Sequence, residues 1–207
     1  MSAARAADRS VILPEVGRDD SLDRPHPKDL ALELFRQRTL LQILSGRMRE
    51  TSAGLERVGS FDPARLRRAL DAHRRFLREV HLSDGKRLAE AIPPRHSEAA
   101  WDFRRALGDS EAKAAEFERK AEALVAREGL DGTGEARRLS KLFAEEADRI
   151  EQFQVWEADQ LHPSVVAWLP KAASSRLLAQ LRRFDAARID AEIALIAWAS
   201  QLHPSAD

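Results

Sequence analysis

The chain has no cysteine, which excludes disulfide staples, thiolate metal sites and cysteine nucleophiles and fits a reducing, cytoplasmic setting. It also has no tyrosine and few β-branched residues, a mix that disfavours sheet. Neither sign of charge is in excess: 34 basic and 34 acidic residues give a formal net charge of +0. The signs interleave, as in RALDAHRRFLREV and AAEFERKAEAL. That is the pattern of solvated helix faces with i,i+4 pairs, not of a basic groove for phosphates, so no nucleic-acid partner is expected. No apolar run is long enough to span a bilayer, so no membrane is expected either. The opening MSAARAADRS has arginines but no apolar h-region, so no secretory signal is visible. A Gly-rich phosphate loop, a nucleophile elbow, an HExxH motif and the Glu-x-x-His pair of ferritin-like di-iron helices are all missing. These absences remove most familiar enzyme classes. No catalytic residue, cofactor-binding residue or metal ligand is assigned, and no cofactor is expected.

What is present is a helix-forming mix dominated by alanine, leucine, arginine and glutamate. At 207 residues the chain can bury a core without staples. Residues 1–24 show no sustained period and read as an N-terminal arm, in which Val11-Ile12-Leu13-Pro14 is a short extended piece. His26-Pro27 opens a first helix with Asp29 near its positive end. Leu30, Leu34, Leu41, Leu44 and Met48 then recur at helical spacing, and Ser52–Ser60 reads as the first connection. Asp62-Pro63 restarts the chain as cap and first helical residue. A stripe of Leu66, Leu70, His73, Leu77 and Val80 follows, interrupted at Gly85 and closed by Pro93-Pro94. The third helix is expected from Ser97 to Arg127, with Gly108 a point where it kinks or splits, and Gly129–Gly134 is a break. The fourth is expected to stop at Pro163, after which SVVAWLP is a separate apolar segment. A last helix is expected from Ser174 or Ser175 to Gln201, with Leu178, Leu181, Phe184, Ile189, Ile193 and Ile196 as its apolar stripe. The expected architecture is all-α: an up-down four-helix bundle over residues 25–170, with one further helix in 171–207 packed on it. QLHPS occurs twice, at Gln160–Ser164 and Gln201–Ser205, and reads as two helix ends of like composition.

The stretch ADRIEQFQVWEADQLHPSVVAWLP places Glu157 on one stripe with Ile150, Phe153 and Leu161. With the other helices, it resembles the hemerythrin-like family over roughly Pro27–Pro170. The resemblance implies a di-iron bundle in which the second and fourth helices carry a histidine and, four residues on, a carboxylate. Phe153, Glu157 and Leu161-His162-Pro163 stand at those positions in the fourth helix. His81 stands at the histidine position of the second, with Gly85 where its carboxylate would be. Phe35 and Phe117 stand at the histidine positions of the first and third helices. His81 and Glu157 are thus the two positions that match the ligand pattern. Losing a metal leaves buried imidazoles unsatisfied, whereas apolar rings in that volume contribute roughly 1.5–3 kcal/mol each. Phe35, Phe117 and Phe153 are therefore expected to meet as an apolar plug, or else to be ordinary core residues.

Each polar candidate carries a plainer alternative. His73 on its apolar stripe reads as a core histidine bonded to a neighbour, and His81 as lying at that stripe's edge. Glu146 and Glu157 fall near the inner face of the fourth helix. Each needs a partner there, and arginine from a neighbouring helix is expected rather than metal. His26, His96, His162 and His203 fall at helix ends or turns. Trp101, Trp156, Trp168 and Trp198 are expected on the outer face. The leading expectation is a non-enzymatic, hemerythrin-like module without a complete di-iron site, acting through self-association or a protein partner. The alternative is a metal-binding protein for iron or peroxide-related chemistry, in which His73, His81 and Glu157 converge with Glu146 or Glu116. A third reading is a cavity that holds a small apolar ligand.

Overall fold

The structure, a computed structural model, describes residues 27–127, 132–182 and 186–200. These are helical apart from short connections, with no strand among them. The first helix, α1, is Pro27–Val58. The second, α2, runs from Pro63–His73 through a π-helical segment Arg74–His81 to Leu82–Glu90. A 3-10 turn, Pro94–His96, leads into α3, Ser97–Val125. Helix α4 begins as Gly132–Trp156, passes through a second π segment, Glu157–Leu161, and continues as His162–Trp168. Two shorter helices close the chain, α5 (Lys171–Leu181) and α6 (Ala186–Ser200).

Local chemistry sets several of these limits. Asp62 caps α2: its carboxylate accepts the Ala64 N–H at 2.9 Å, ahead of Pro63 in the first turn, an arrangement that stabilises a helix by about 1 kcal/mol. Helix α1 outruns the expected connection and takes in Gly54. It ends where Gly59 adopts φ +69°, with its N–H bonded to the Leu55 carbonyl at 3.0 Å. Gly85 and Gly108 remain helical.

Helix α4 differs most from expectation. Pro163 does not end it, and the helix runs on to Trp168. A proline inside an α-helix loses one hydrogen bond, and its ring collides with the carbonyl four residues earlier. The widened π turn over Glu157–Leu161 re-spaces the carbonyls just before the ring, so the axis continues. The expected single C-terminal helix is two, and the first starts at Lys171 rather than at Ser174 or Ser175. The arm (1–24), His26, Phe184, His203, residues 129–131 of the expected break and the second QLHPS copy lie outside the described residues, while the rest of that break, 132–134, already belongs to α4.

Helices α1 and α4 pack along their lengths. They run antiparallel: Gln154 donates to the Arg38 carbonyl at 2.9 Å, and Ser52 meets Ser140 at 3.0 Å. Helix α3 packs antiparallel on α4, with the Phe117 and Phe143 rings 5.3 Å apart. It also packs antiparallel on α2, where Lys86 pairs with Glu111 at 2.6 Å. Helix α5 lies on α1, and α6 lies on α2 and α1. The interior is leucine-rich, with Leu41, Leu44, Met48, Leu77, Leu107 and Leu139 fully enclosed. Each such side chain stabilises the fold by about 1.5–3 kcal/mol before its ordering cost.

Candidate functional site

A ladder of buried polar groups runs through this leucine core, carried mainly by α2. Three successive rungs are centred on His73, His81 and Asp84, which are 0%, 2% and 1% exposed.

On the first rung, His73 joins three helices. Its Nδ1 lies 3.1 Å from Glu118 Oε1 on α3, and its Nε2 lies 2.8 Å from Glu146 Oε1 on α4. The Phe117 ring meets it edge-on at 5.0 Å. Burial alone would lower the His73 pKa, but the hydrogen bonds and attraction from Glu118 and Glu146 outweigh it and hold the value above the ordinary 6.5. Burial would likewise raise both glutamates. For Glu118, His73 and then Arg78 overcome it; for Glu146, Arg149 and His73 do, so both carboxyls sit below 4.5. The rung is an imidazolium donating to two carboxylates, each closed off by guanidinium. Arg78 lies 2.9 Å and Arg74 3.3 Å from Glu118 Oε2, and Arg149 Nε lies 2.6 Å from Glu146 Oε2.

On the second rung, His81 Nε2 lies 3.1 and 2.9 Å from the two Glu157 oxygens. His81 Nδ1 is buried without a hydrogen-bond partner, and so is Nε2 of His162. Burial lowers the His162 pKa; Glu157 raises it, while His81 and Arg38 lower it further. Both partners of the His81–Glu157 pair sit on π segments, one on α2 and one on α4. The extra residue in each wide turn rotates these side chains inward.

The third rung ties in the C-terminal helix. Asp84 is 2.8 Å from Arg188 of α6, 2.9 Å from Arg87 and 2.9 Å from Gln37 of α1. Burial raises its pKa against the pull of Arg188, Arg87 and His81. Arg188 also pairs with Glu33 at 3.5 Å, and Arg36 bridges α1 to Glu192 at 2.9 Å. Arg188→Met should therefore loosen α6 from α1 and α2. The expected cost is about 2–3 kcal/mol, below the 3–5 of a fully broken buried pair, because Asp84 keeps Gln37 and Arg87. Urea denaturation of the variant checks this, and a midpoint equal to that of the unaltered chain would contradict it.

His73 and His81 do not converge on one site; each takes its own carboxylate. Glu116 is exposed and pairs with Lys120 at 2.7 Å. Glu118 holds the position near His73 instead. Glu146 is reached by an arginine of its own helix, not of a neighbour, and Glu157 by a histidine. His81 is buried rather than at the edge of its stripe. The three phenylalanines do not meet: Phe35 is 65% exposed, Phe117 lies on the His73 rung, and Phe153 lies edge-on to His81 at 6.2 Å. The fully enclosed rings are Phe76 and Phe143. Of the tryptophans only Trp101 is mostly exposed, under the Arg105 guanidinium at 4.7 Å, whereas Trp198 is buried and Trp168 stacks on His96 at 4.1 Å.

The residues present do not fit the di-iron set that the resemblance implies. Both nitrogens of His73 are committed, and a divalent cation at Glu118 and Glu146 would face Arg74, Arg78 and Arg149. Among the described residues, no three His, Asp or Glu side chains are grouped so as to hold a metal ion. No described helix is long and apolar enough to cross a membrane. Comparisons with family models, with curated proteins and with solved structures give no match.

Proposed function

We propose that the chain is a non-catalytic helical bundle, hemerythrin-like in shape, that works as an interaction module by pairing with a second copy of itself. The observation that carries this reading is the outer face of α6. Ile189, Ile193 and Ile196 recur there at i, i+4 and i+7 and are 40%, 58% and 54% exposed. On the neighbouring α1, Leu32 and Phe35 are 62% and 65% exposed. Apolar side chains repeated along one outward face mark an association surface. A second copy presents the same face and can meet it about a two-fold axis, and a net charge of +0 sets up no long-range repulsion against it.

The non-catalytic part rests on the ladder. Its first rung spends its ionisable groups on one another, and its third rung spends them on holding α6. Light scattering of the full chain at micromolar concentration should give a dimer, and Ile193→Lys should give a monomer with unchanged helicity. A monomeric parent chain would remove the self-association claim. Two irons per chain by elemental analysis would remove the non-catalytic one.

A further inference from the structure

At the other end of α1 lies a cavity of about 620 Å³, between the last turns of α1, the first turns of α2 and Trp198 of α6. Its floor is apolar and enclosed: Leu55, Leu66 and Trp198 are 5%, 4% and 4% exposed, with Ala69 and the half-buried Phe61 beside them. Its charged lining is uneven. Glu50 is taken by Arg47 at 2.5 Å, and Asp62 by its capping bond to Ala64. Arg57, in the last turn of α1, lines the same cavity and has no ion pair among the described residues. The volume falls in the range of small-molecule sites, which combine apolar walls with a few placed polar groups.

We propose that this cavity binds an amphiphilic monoanion, an apolar body bearing one carboxylate. The body would lie against Leu55, Leu66 and Trp198, and the carboxylate would pair with Arg57. Within the lining Glu50 pairs with Arg47 and one Asp62 oxygen accepts the Ala64 N–H, while Arg57, set in the lining beside Asp62 and Arg65, has no ion pair among the described residues, and the apolar floor disfavours a small hydrophilic anion. The site is separate from the isoleucine face and does not depend on self-association.

Gly54 makes the test clean. It lines the cavity, and a Cβ added there meets nothing within 4 Å. Gly54→Leu would therefore narrow the space from a position where the Cβ itself meets no neighbour, while improving the helix. Decanoate, decanol and naphthalene-2-carboxylate, each kept below any micelle concentration, would be titrated into the full chain by calorimetry and tryptophan fluorescence. Decanoate or the aromatic acid is expected to bind at one site per chain, and comparing the two distinguishes a chain from a ring as the apolar body. Arg57→Gln should weaken the acid about tenfold, the loss of one charge-assisted hydrogen bond, and leave decanol unchanged. Gly54→Leu should weaken both acid and alcohol while keeping the parent's thermal midpoint or raising it, and Trp198→Phe should remove the fluorescence response. No binding of either acid at millimolar concentration, or binding indifferent to both Arg57→Gln and Gly54→Leu, would overturn the proposal.

Discussion

Replacing His73 by alanine is expected to destabilise the chain by about 3–5 kcal/mol, as when one partner of a buried charge pair is removed. For a chain of this size that is a fall in Tm on the order of 10 °C. The imidazole is fully enclosed and bridges Glu118 of α3 and Glu146 of α4. Without it the two carboxylates keep their arginines, but α2 loses its polar tie to the far side of the core and a cavity opens beside Phe117. The loss should depend on pH with a definite sign. The His73 pKa is raised in the fold, so its stabilisation is complete below 6.5 and fades as pH rises through the folded value. The Glu118 and Glu146 values are depressed, so their stabilisation is complete above 4.5 and fades as pH falls through the folded values. The gap between the parent chain and His73→Ala should therefore be widest between these limits and narrow on the alkaline side. His162 has a lowered pKa, so it destabilises the fold as pH drops through 6.5 in parent and variant alike, and it cancels in the difference. Urea denaturation of both chains from pH 5 to pH 9 measures that difference. A gap that stays constant across the range would mean that folding leaves the His73 pKa unshifted, and one that widens as pH rises through 6.5 would mean that His73 is neutral in the folded protein.

The sequence shows helices well where the period is plain. The starts at Pro27, Pro63 and Ser97 and the stop near Pro170 follow from caps and prolines that act within one turn. It shows π turns poorly, because a stripe counted at 3.6 residues per turn slips by one residue when the helix widens. That slip is why His81 reads as an edge residue yet is buried, and why Pro163 reads as a stop yet lies inside α4. Glu118 carried a usable signal, since it shares a stripe with Ala114, Ala121 and Val125, all of them buried. Phe35 carried the opposite signal. It lies off the stripe of Leu30, Leu34 and Leu41, and the period places it outside, where the structure has it. The resemblance pointed inward there, and the local period was the better guide. The tie between Asp84 and Arg188 joins residues more than a hundred positions apart, and nothing local announces it.

Gly85→Glu, which writes in the carboxylate that the hemerythrin-like pattern would place there, is expected to be more damaging than the loss of His73. A Cβ built on Gly85 falls 2.6 Å from Cδ2 of Leu107, an α3 residue that is fully enclosed. Even Gly85→Ala should cost about 1–3 kcal/mol through overpacking, although alanine would otherwise favour the helix by about 1 kcal/mol. Leu107→Ala in the same chain should return part of that cost, and thermal denaturation of the two single variants and the pair measures the coupling. Glutamate adds four more heavy atoms beyond the methyl and a charge beside the already crowded Asp84, so this variant is expected not to fold. The Leu107 side chain of α3 thus takes the space beside Gly85 that a larger residue would need, and a carboxylate there has room only if that side chain moves. A Gly85→Glu chain that folds with the parent's Tm would show the opposite, that α2 and α3 can part there at little cost.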